Sequence, residues 1–180
     1  MQHNGYVTLP VYSYDVWRNA VNGNGYDADN SFGDQCWDLT AEFWYNVGFP
    51  QGYPTLAGTH SAYGAWEDRV ANAGDKFVLI ESKVNIKRGD VIVFNYFPGN
   101  PYGHIGFADE DYNGTNGINI LSQNNGGTPY GQGGSFTNVH SYDLMHFLGA
   151  FRLKDWYIPP IVPNRGNFPW VLYANKLRNK

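Results

Sequence analysis

One short segment of the sequence combines a thiol with several carboxyl groups. Residues 27–38, DADNSFGDQCWD, contain Cys36, which is the only cysteine of the chain, together with four aspartates. The thiolate is the reactive form of cysteine, and nearby negative charge disfavours it. Cys36 is therefore either an unreactive packed side chain or a nucleophile whose acidic neighbours are neutralised by a cation.

The spacing of the oxygen-bearing side chains favours a cation. Counted from Asp27, they fall at positions 1, 3, 5 and 12, and position 7 is a glycine that offers its carbonyl. This is close to the ligand spacing of an EF-hand loop, which surrounds one Ca²⁺ with oxygens, although Phe32 stands where an EF-hand has glycine. The predicted calcium ligands are Asp27, Asp29, Ser31, Gly33 and Asp38. The alternative is a solvated acidic turn, with Asp34 capping the helix that follows.

A cysteine nucleophile needs a base, and His104 is the best placed of the five histidines. It begins the segment GHIGFA after the turn FPGNPYG, which predicts a position at the mouth of a strand. Gly106 and Ala108 should share its face of the strand, and we expect these small residues to leave room for a substrate. The other histidines are expected at the chain start, at a helix start or beside the last strand: His3, His60, His140 and His146.

The sequence predicts that the elements which position these groups are helices first and strands second. Ser13 and Gly23 are suitable ends for a first helix, and a second should run from near Cys36 to Gly48. A first-turn position would place the thiol at the positive end of the helix dipole. A third helix should end near Gly74. Five β-rich segments separated by turn residues follow, so we predict an α+β fold with an antiparallel sheet: KFVLIE, DVIVFNYF, HIGFADED, INILSQN and LGAFRLK.

Composition limits the function further. The formal net charge is −4 and no basic cluster precedes the last residues, so we expect no nucleic-acid partner. The apolar segments are too short to span a membrane, and the first residues lack the pattern of a secretory signal. We predict a domain over residues 1–155 and a Pro-rich linker or tail over residues 156–180, where four prolines fall between Pro159 and Pro169.

Four motifs in order resemble the CHAP domain (cysteine, histidine-dependent amidohydrolase/peptidase) of phage and bacterial cell-wall lysins. They are GDQCWDLT, RGDVIVFNY, GHIGFADED and ILSQNNGG. The resemblance implies a papain-like (NlpC/P60-like) fold and cleavage of peptidoglycan amide bonds by Cys36 and His104. It also implies a Ca²⁺ held by the predicted ligands. A phage lysin without a signal peptide would be made in the host cytosol and act on the wall, as a monomer or as part of a longer lysin.

The third member of the site is less defined. Lysins of this type often carry Glu where this chain has Ser122. Pairing the strands about a centre near Gly114 places Asn124 opposite His104, so we predict that Asn124 accepts the Nδ1–H bond of His104 and that Ser122 is secondary. The alternative is that Asn124 caps a turn. Backbone N–H groups of the Cys36 helix, with Gln35, are the expected oxyanion donors. The rival function is a non-catalytic, calcium-dependent wall- or glycan-binding module.

Overall fold

The fold is described from a computed structural model over residues 1–125 and 133–155. The predicted linker or tail over residues 156–180 lies outside these residues. Within them, no helix has the length and apolar character that crossing a membrane requires.

Two helices begin as the sequence predicts. The first, α1 (Tyr14–Val21), is capped by Ser13, whose Oγ accepts the N–H of Val16 at 3.3 Å. The second, α2 (Cys36–Asn46), begins at the cysteine and ends two residues before Gly48, which has a φ of 97°. Cys36 therefore occupies the first turn of a helix.

The third predicted helix is instead two short ones, α3 (Gly64–Glu67) and α4 (Arg69–Ala73). Asp68 lies between them with a non-helical ψ of 20°. Its carboxylate accepts the N–H of Ala57 at 2.9 Å and the hydroxyl of Thr55 at 2.8 Å. These bonds to the preceding loop explain why a single helix does not form.

Six antiparallel strands form the main sheet, and all five predicted strands belong to it. In spatial order they are β4 (Phe77–Ile80), β10 (Phe147–Leu153), β5 (Val91–Phe94), β6 (His104–Ala108), β7 (Gly117–Ser122) and β9 (Asn138–Asp143). Two small parallel pairs lie apart from it: β1 (Gln2–Asn4) with β2 (Gly25–Asp27), and β3 (Gly33–Asp34) with β8 (Gly133–Gly134). The antiparallel sheet confirms the predicted α+β class.

Buried apolar side chains form two clusters, and the strands of the main sheet contribute to both. The larger cluster packs α1 and α2 against β6 through aromatic rings, with Phe43 centred 5.0 Å from Phe107 and 5.1 Å from Trp17. The smaller cluster is largely aliphatic: Ile80, Ile86, Ile92, Phe94, Ala108, Ile118, Ile120, Leu144 and Ala150. Together they fix the start of α2 next to the start of β6.

One carboxyl group is buried inside the helical layer. Glu42 of α2 is fully buried, and its Oε2 accepts the N–H of Val7 at 3.1 Å. Among the described residues its Oε1 has no hydrogen-bond partner. Burial raises the pKa of Glu42 to about 7, although the bond from Val7 opposes this shift. The folded protein therefore holds a proton on Glu42 more tightly than the unfolded chain does.

This pKa predicts a pH-dependent effect of Glu42→Gln. The stabilisation from the raised pKa is fully present below the unfolded value near 4.5 and is lost as the pH rises through about 7. Glutamine keeps an acceptor for Val7 and carries no charge. We expect the variant to match the wild type at about pH 4, below the unfolded value, and to be more stable at pH 8, by about 1–3 kcal/mol. Urea unfolding at both pH values measures this, with Glu81→Gln as the exposed control. A pH-independent difference would contradict it.

Candidate active site

The thiol of Cys36 lies at the start of α2, where helical N–H groups have no partner within the helix. Burial raises the pKa of this thiol to about 11, and the nearby carboxylate of Asp38 adds to the shift. The backbone N–H groups of Ile105, Trp37 and Cys36 itself act in the opposite direction, because they stabilise the thiolate. Backbone N–H groups from helix α2 and from strand β6 thus stabilise the same sulfur atom, that of Cys36.

Asp38 fixes the first turn of α2. Its Oδ2 accepts the N–H of Gln35, the N-cap residue, at 2.8 Å, and its Oδ1 accepts the N–H of Ala28 at 3.0 Å. The expectation that Asp34 caps this helix is wrong. Asp34 is buried and accepts from the side-chain amide of Gln2 at 3.3 Å. The third helical residue caps the helix here, by folding back onto the N-cap.

His104 is the first residue of β6 and only 3% exposed. Its ring stacks on Tyr142 of β9, with centroids 4.6 Å apart and planes 8° apart. Its Nε2 lies 3.1 Å from Oδ1 of Asn125. Burial lowers the pKa of His104 to about 4, while the bond to Asn125 favours the protonated ring and His140 disfavours it.

The contacts of Asn125 define the tautomer of His104. Its Nδ2 donates to the carbonyl of Ser122 at 2.9 Å and to the carbonyl and Oδ1 of Asn138 at 2.9 and 2.8 Å. The amide nitrogen therefore faces acceptors, and the oxygen faces the ring. Because Oδ1 only accepts, Nε2 of His104 carries the proton and Nδ1 is the basic nitrogen of the neutral ring.

The predicted orienting role of Asn124 is therefore wrong, and Asn125 takes it. Asn124 instead donates its side-chain amide to Oε1 of Gln35 at 2.7 Å. Ser122, predicted as secondary, donates its hydroxyl to the carbonyl of Ile105 at 2.7 Å. The ring nitrogen held in place is Nε2, and not the predicted Nδ1.

The backbone conformation after β7 explains why Asn125, and not Asn124, contacts His104. The predicted strand register is correct, because Phe107 pairs with Leu121 and Ala108 with Ile120, so that residue 124 is in register with His104. However, β7 ends at Ser122, and Asn124 has a left-handed φ of 54°. This turn brings the next residue to the imidazole. The doubled Asn in SQNNGG was the one available signal, since Asn tolerates this conformation.

Gln35 and Gln123 connect the two halves of the site. Gln35 donates from Nε2 to the carbonyl of Phe32 at 2.9 Å, which uses one of its two side-chain N–H bonds. Its predicted oxyanion role stays a prediction. Gln123, which sequence analysis gave no role, is fully buried and donates to the carbonyls of Tyr26 and Gln35 at 2.8 and 3.0 Å. It ties the end of β7 to the N-cap of α2.

The small residues beside His104 do not make room for a substrate. A Cβ on Gly106 would lie 2.6 Å from Cβ of Ser122 on the paired strand, and Ala108 is fully buried in the smaller cluster. Glycine at position 106 therefore accommodates a neighbouring side chain. The open space is elsewhere, in a cleft of about 400 Å³ that both Cys36 and His104 line.

The predicted metal ligands gather next to this cleft. One carboxylate oxygen from each of Asp27, Asp29 and Asp38 lies within 4.8 Å of the others. The backbone N–H of Ser31 donates to Asp27 and to Asp29, at 2.9 and 2.8 Å. Burial, more than the neighbouring carboxylates, raises the pKa of Asp38 to about 8. Three converging carboxylate oxygens, which are hard ligands, suit a divalent cation such as Ca²⁺.

The loop backbone is also compatible with such a site. Phe32, at the position where an EF-hand has glycine, adopts a left-handed φ of 67°, and Gly33 follows with 69°. The departure at Phe32 therefore does not prevent the sharp turn. The carbonyl ligands predicted at Ser31 and Gly33 stay a prediction.

Comparison with known proteins agrees with this arrangement. A family model described as "CHAP domain" matches residues 16–124, and the chain belongs to this family. The chain is 38% identical over 145 residues to the "D-alanyl-L-alanine endopeptidase" of Streptococcus phage B30, a match that covers 80% of this chain and 31% of the relative. The crystal structure of endolysin LysIME-EF1 aligns with a TM-score of 0.62 at 25% identity, over 82% of this chain and 66% of that one. The fold is papain-like, as expected.

The Asn125 contact predicts a specific effect on His104. In Asn125→Ala we expect the hydrogen-bonded Nε2–H signal of His104 in ¹H–¹⁵N NMR spectra to weaken through faster exchange with water, since its acceptor is gone. In Asn124→Ala, the matched neighbour, the signal should persist. The reverse pattern, or equal signals in both variants, would contradict the assignment.

Proposed function

We propose that this chain is a peptidoglycan hydrolase that cleaves a peptide or amide bond by a Cys-His mechanism. The observation that carries the proposal is a thiol at a helix N-terminus and an imidazole at a strand start, both lining one cleft. Asn125 holds the imidazole so that Nδ1 is the available base. Such a pair suits nucleophilic attack on a carbonyl.

The reaction proceeds in two halves. In the first, the proton of the Cys36 thiol passes to Nδ1 of His104 as sulfur attacks the carbonyl carbon, and the oxygen becomes an oxyanion. Backbone N–H groups at the start of α2, with the side chain of Gln35, are the proposed donors to it. The C–N bond then breaks, and His104 returns the proton to the leaving amine. In the second half, His104 takes a proton from water, water attacks the thioester, and the Cys36 thiol re-forms with release of a carboxylic acid.

Burial shapes the energetics of the first proton transfer. A thiolate at the partly buried Cys36 and an imidazolium at the buried His104 are each disfavoured alone, as the pKa values of about 11 and about 4 indicate. Transfer between the two creates both charges together, and each offsets much of the cost of burying the other. Asn125 accepts from the imidazolium that results.

For the bond cleaved, we propose the D-alanyl–L-alanine peptide bond of the wall cross-bridge, by analogy with the phage relative named for that activity. The chain spans about a third of that relative's length, so other parts of a longer lysin are outside the analogy. The proposed site of action is the wall of the bacterial host, reached on phage release or from the virion.

We also propose that Asp27, Asp29 and Asp38 hold a Ca²⁺, with the carbonyls of Ser31 and Gly33 as further ligands. The ion would neutralise the carboxylates next to Cys36. Asp38, whose charge opposes the thiolate, is the residue that the metal and α2 share. A bound Ca²⁺ would therefore reduce the negative charge next to Cys36 and favour its thiolate.

Variants at the two central residues test the hydrolase proposal. We expect Cys36→Ala and His104→Ala to lower the release of new amino groups from purified streptococcal walls by roughly a thousandfold or more, because the two groups act as a unit. Both should melt within a few degrees of the wild type. Mass spectrometry of the wild-type digest should show new D-alanine carboxyl and L-alanine amino ends.

The same experiment distinguishes a hydrolase from a non-catalytic, calcium-dependent binding module. If the wild type sediments with walls in a calcium-dependent manner but releases no new amino groups, the protein is a binding module. If Cys36→Ala keeps its activity while folded, a different nucleophile is at work.

Calcium removal should change the melting temperature of the protein. EGTA should lower the melting temperature, and Ca²⁺ should restore it better than Mg²⁺, adding about 2.7 kcal/mol at a concentration about a hundredfold above its Kd. The double variant Asp27→Asn and Asp29→Asn should lose this response. Asp38 is unsuitable as a test because it also caps α2. Asp75→Asn, at an exposed position, is the control and should respond like the wild type. A calcium response that survives the double variant would contradict the site.

A further inference from the structure

Residues with a left-handed backbone concentrate at the cleft. Among the described residues, five that are not glycine have φ between 50° and 67°. They are Asn30, Phe32, Ala57, His60 and Asn124. Three of the five line the cleft: Phe32, His60 and Asn124. A Cβ disfavours this conformation, so that glycine is the usual residue there. A side chain kept at such a position suggests that the side chain itself has a use.

Two loops show the same arrangement. The acidic loop of residues 27–38 contains Asn30 and Phe32, and the loop before α3 contains Ala57 and His60. In each loop one left-handed residue lines the cleft and the other does not. The chain does use glycine at the adjacent left-handed positions 33 and 58, and also at the left-handed positions 99 and 103, which line the cleft.

The three side chains at the cleft differ in exposure. Asn124 is partly buried and donates its side-chain amide to Gln35. Phe32 is 47% exposed. His60 is exposed as well, although sequence analysis placed it at a helix start. Both present surface to the cleft that Cys36 lines.

We propose that Phe32 and His60 are substrate-contacting residues that determine which wall peptide the cleft accepts. This rests on the proposed hydrolase function and deepens it. The ring of Phe32 offers apolar surface to the methyl groups of an alanine-containing peptide, and the imidazole of His60 offers a hydrogen bond to a peptide amide. Phe32 lies in the acidic loop of residues 27–38, between the proposed calcium ligands Ser31 and Gly33.

Substitution by glycine removes the side chain at these positions and leaves the backbone conformation unstrained, because glycine adopts the left-handed conformation without a steric penalty. We expect Phe32→Gly and His60→Gly to melt within a few degrees of the wild type and to raise KM for a soluble D-alanyl–L-alanine peptide by roughly tenfold, with kcat within about twofold. The matched controls Asn30→Gly and Ala57→Gly should keep both KM and kcat. Phe32→Tyr, which retains the ring, should restore KM.

Two results would overturn the proposal. One is a KM in Phe32→Gly and His60→Gly that matches the controls. The other is a loss of melting temperature in both variants that accounts for their weaker activity. If the wild type does not cleave the peptide, the proposed bond is wrong, and binding of the same peptide to Cys36→Ala by calorimetry still decides. Unchanged affinity on adding Phe32→Gly or His60→Gly would then refute the contact.

Discussion

The structure depends on one constraint, which is that the two groups of the proposed Cys-His pair, a partly buried thiol and a buried imidazole, lie where helix α2 meets strand β6. A buried charge is stable only if donors, acceptors or an opposite charge surround it. For the sulfur, these are the N–H groups of Cys36, Trp37 and Ile105. For the imidazole, the acceptor is Asn125, itself held by the backbone of Ser122 and by Asn138.

The neighbouring acidic loop follows from the same constraint. Asp38 caps α2 and so positions Cys36, but its charge opposes the thiolate. A cation bound by Asp27, Asp29 and Asp38 would keep the cap and remove the opposition. The four aspartates around a lone thiol are then consistent with a nucleophile. Strand β1 pairs with β2 in parallel, and the pairing of Asn4 with Asp27 fixes the first residue of the acidic loop.

Much of this could be predicted from sequence, and the failures have physical causes. Capping residues and apolar periodicity predicted α1, α2 and five strands, because local chemistry determines these elements. Strand β9 was missed because its side chains are mostly exposed and carry no apolar pattern; six backbone pairs with β7 define it. Its Tyr142 stacks on His104, and no sequence signal indicated that contact. Asn125 was missed because a single left-handed residue, Asn124, changed which side chain reaches the ring.

Cys36 and His104 are proposed to form one proton-sharing pair, and the reactivity of the thiol tests this pairing without any substrate. Cys36 is the only cysteine, so alkylation by iodoacetamide reports on it alone. At pH 6 we expect the wild type to react at least roughly tenfold faster than a folded His104→Ala variant, since only the pair supplies thiolate at that pH. Equal alkylation rates in the two proteins would contradict the account.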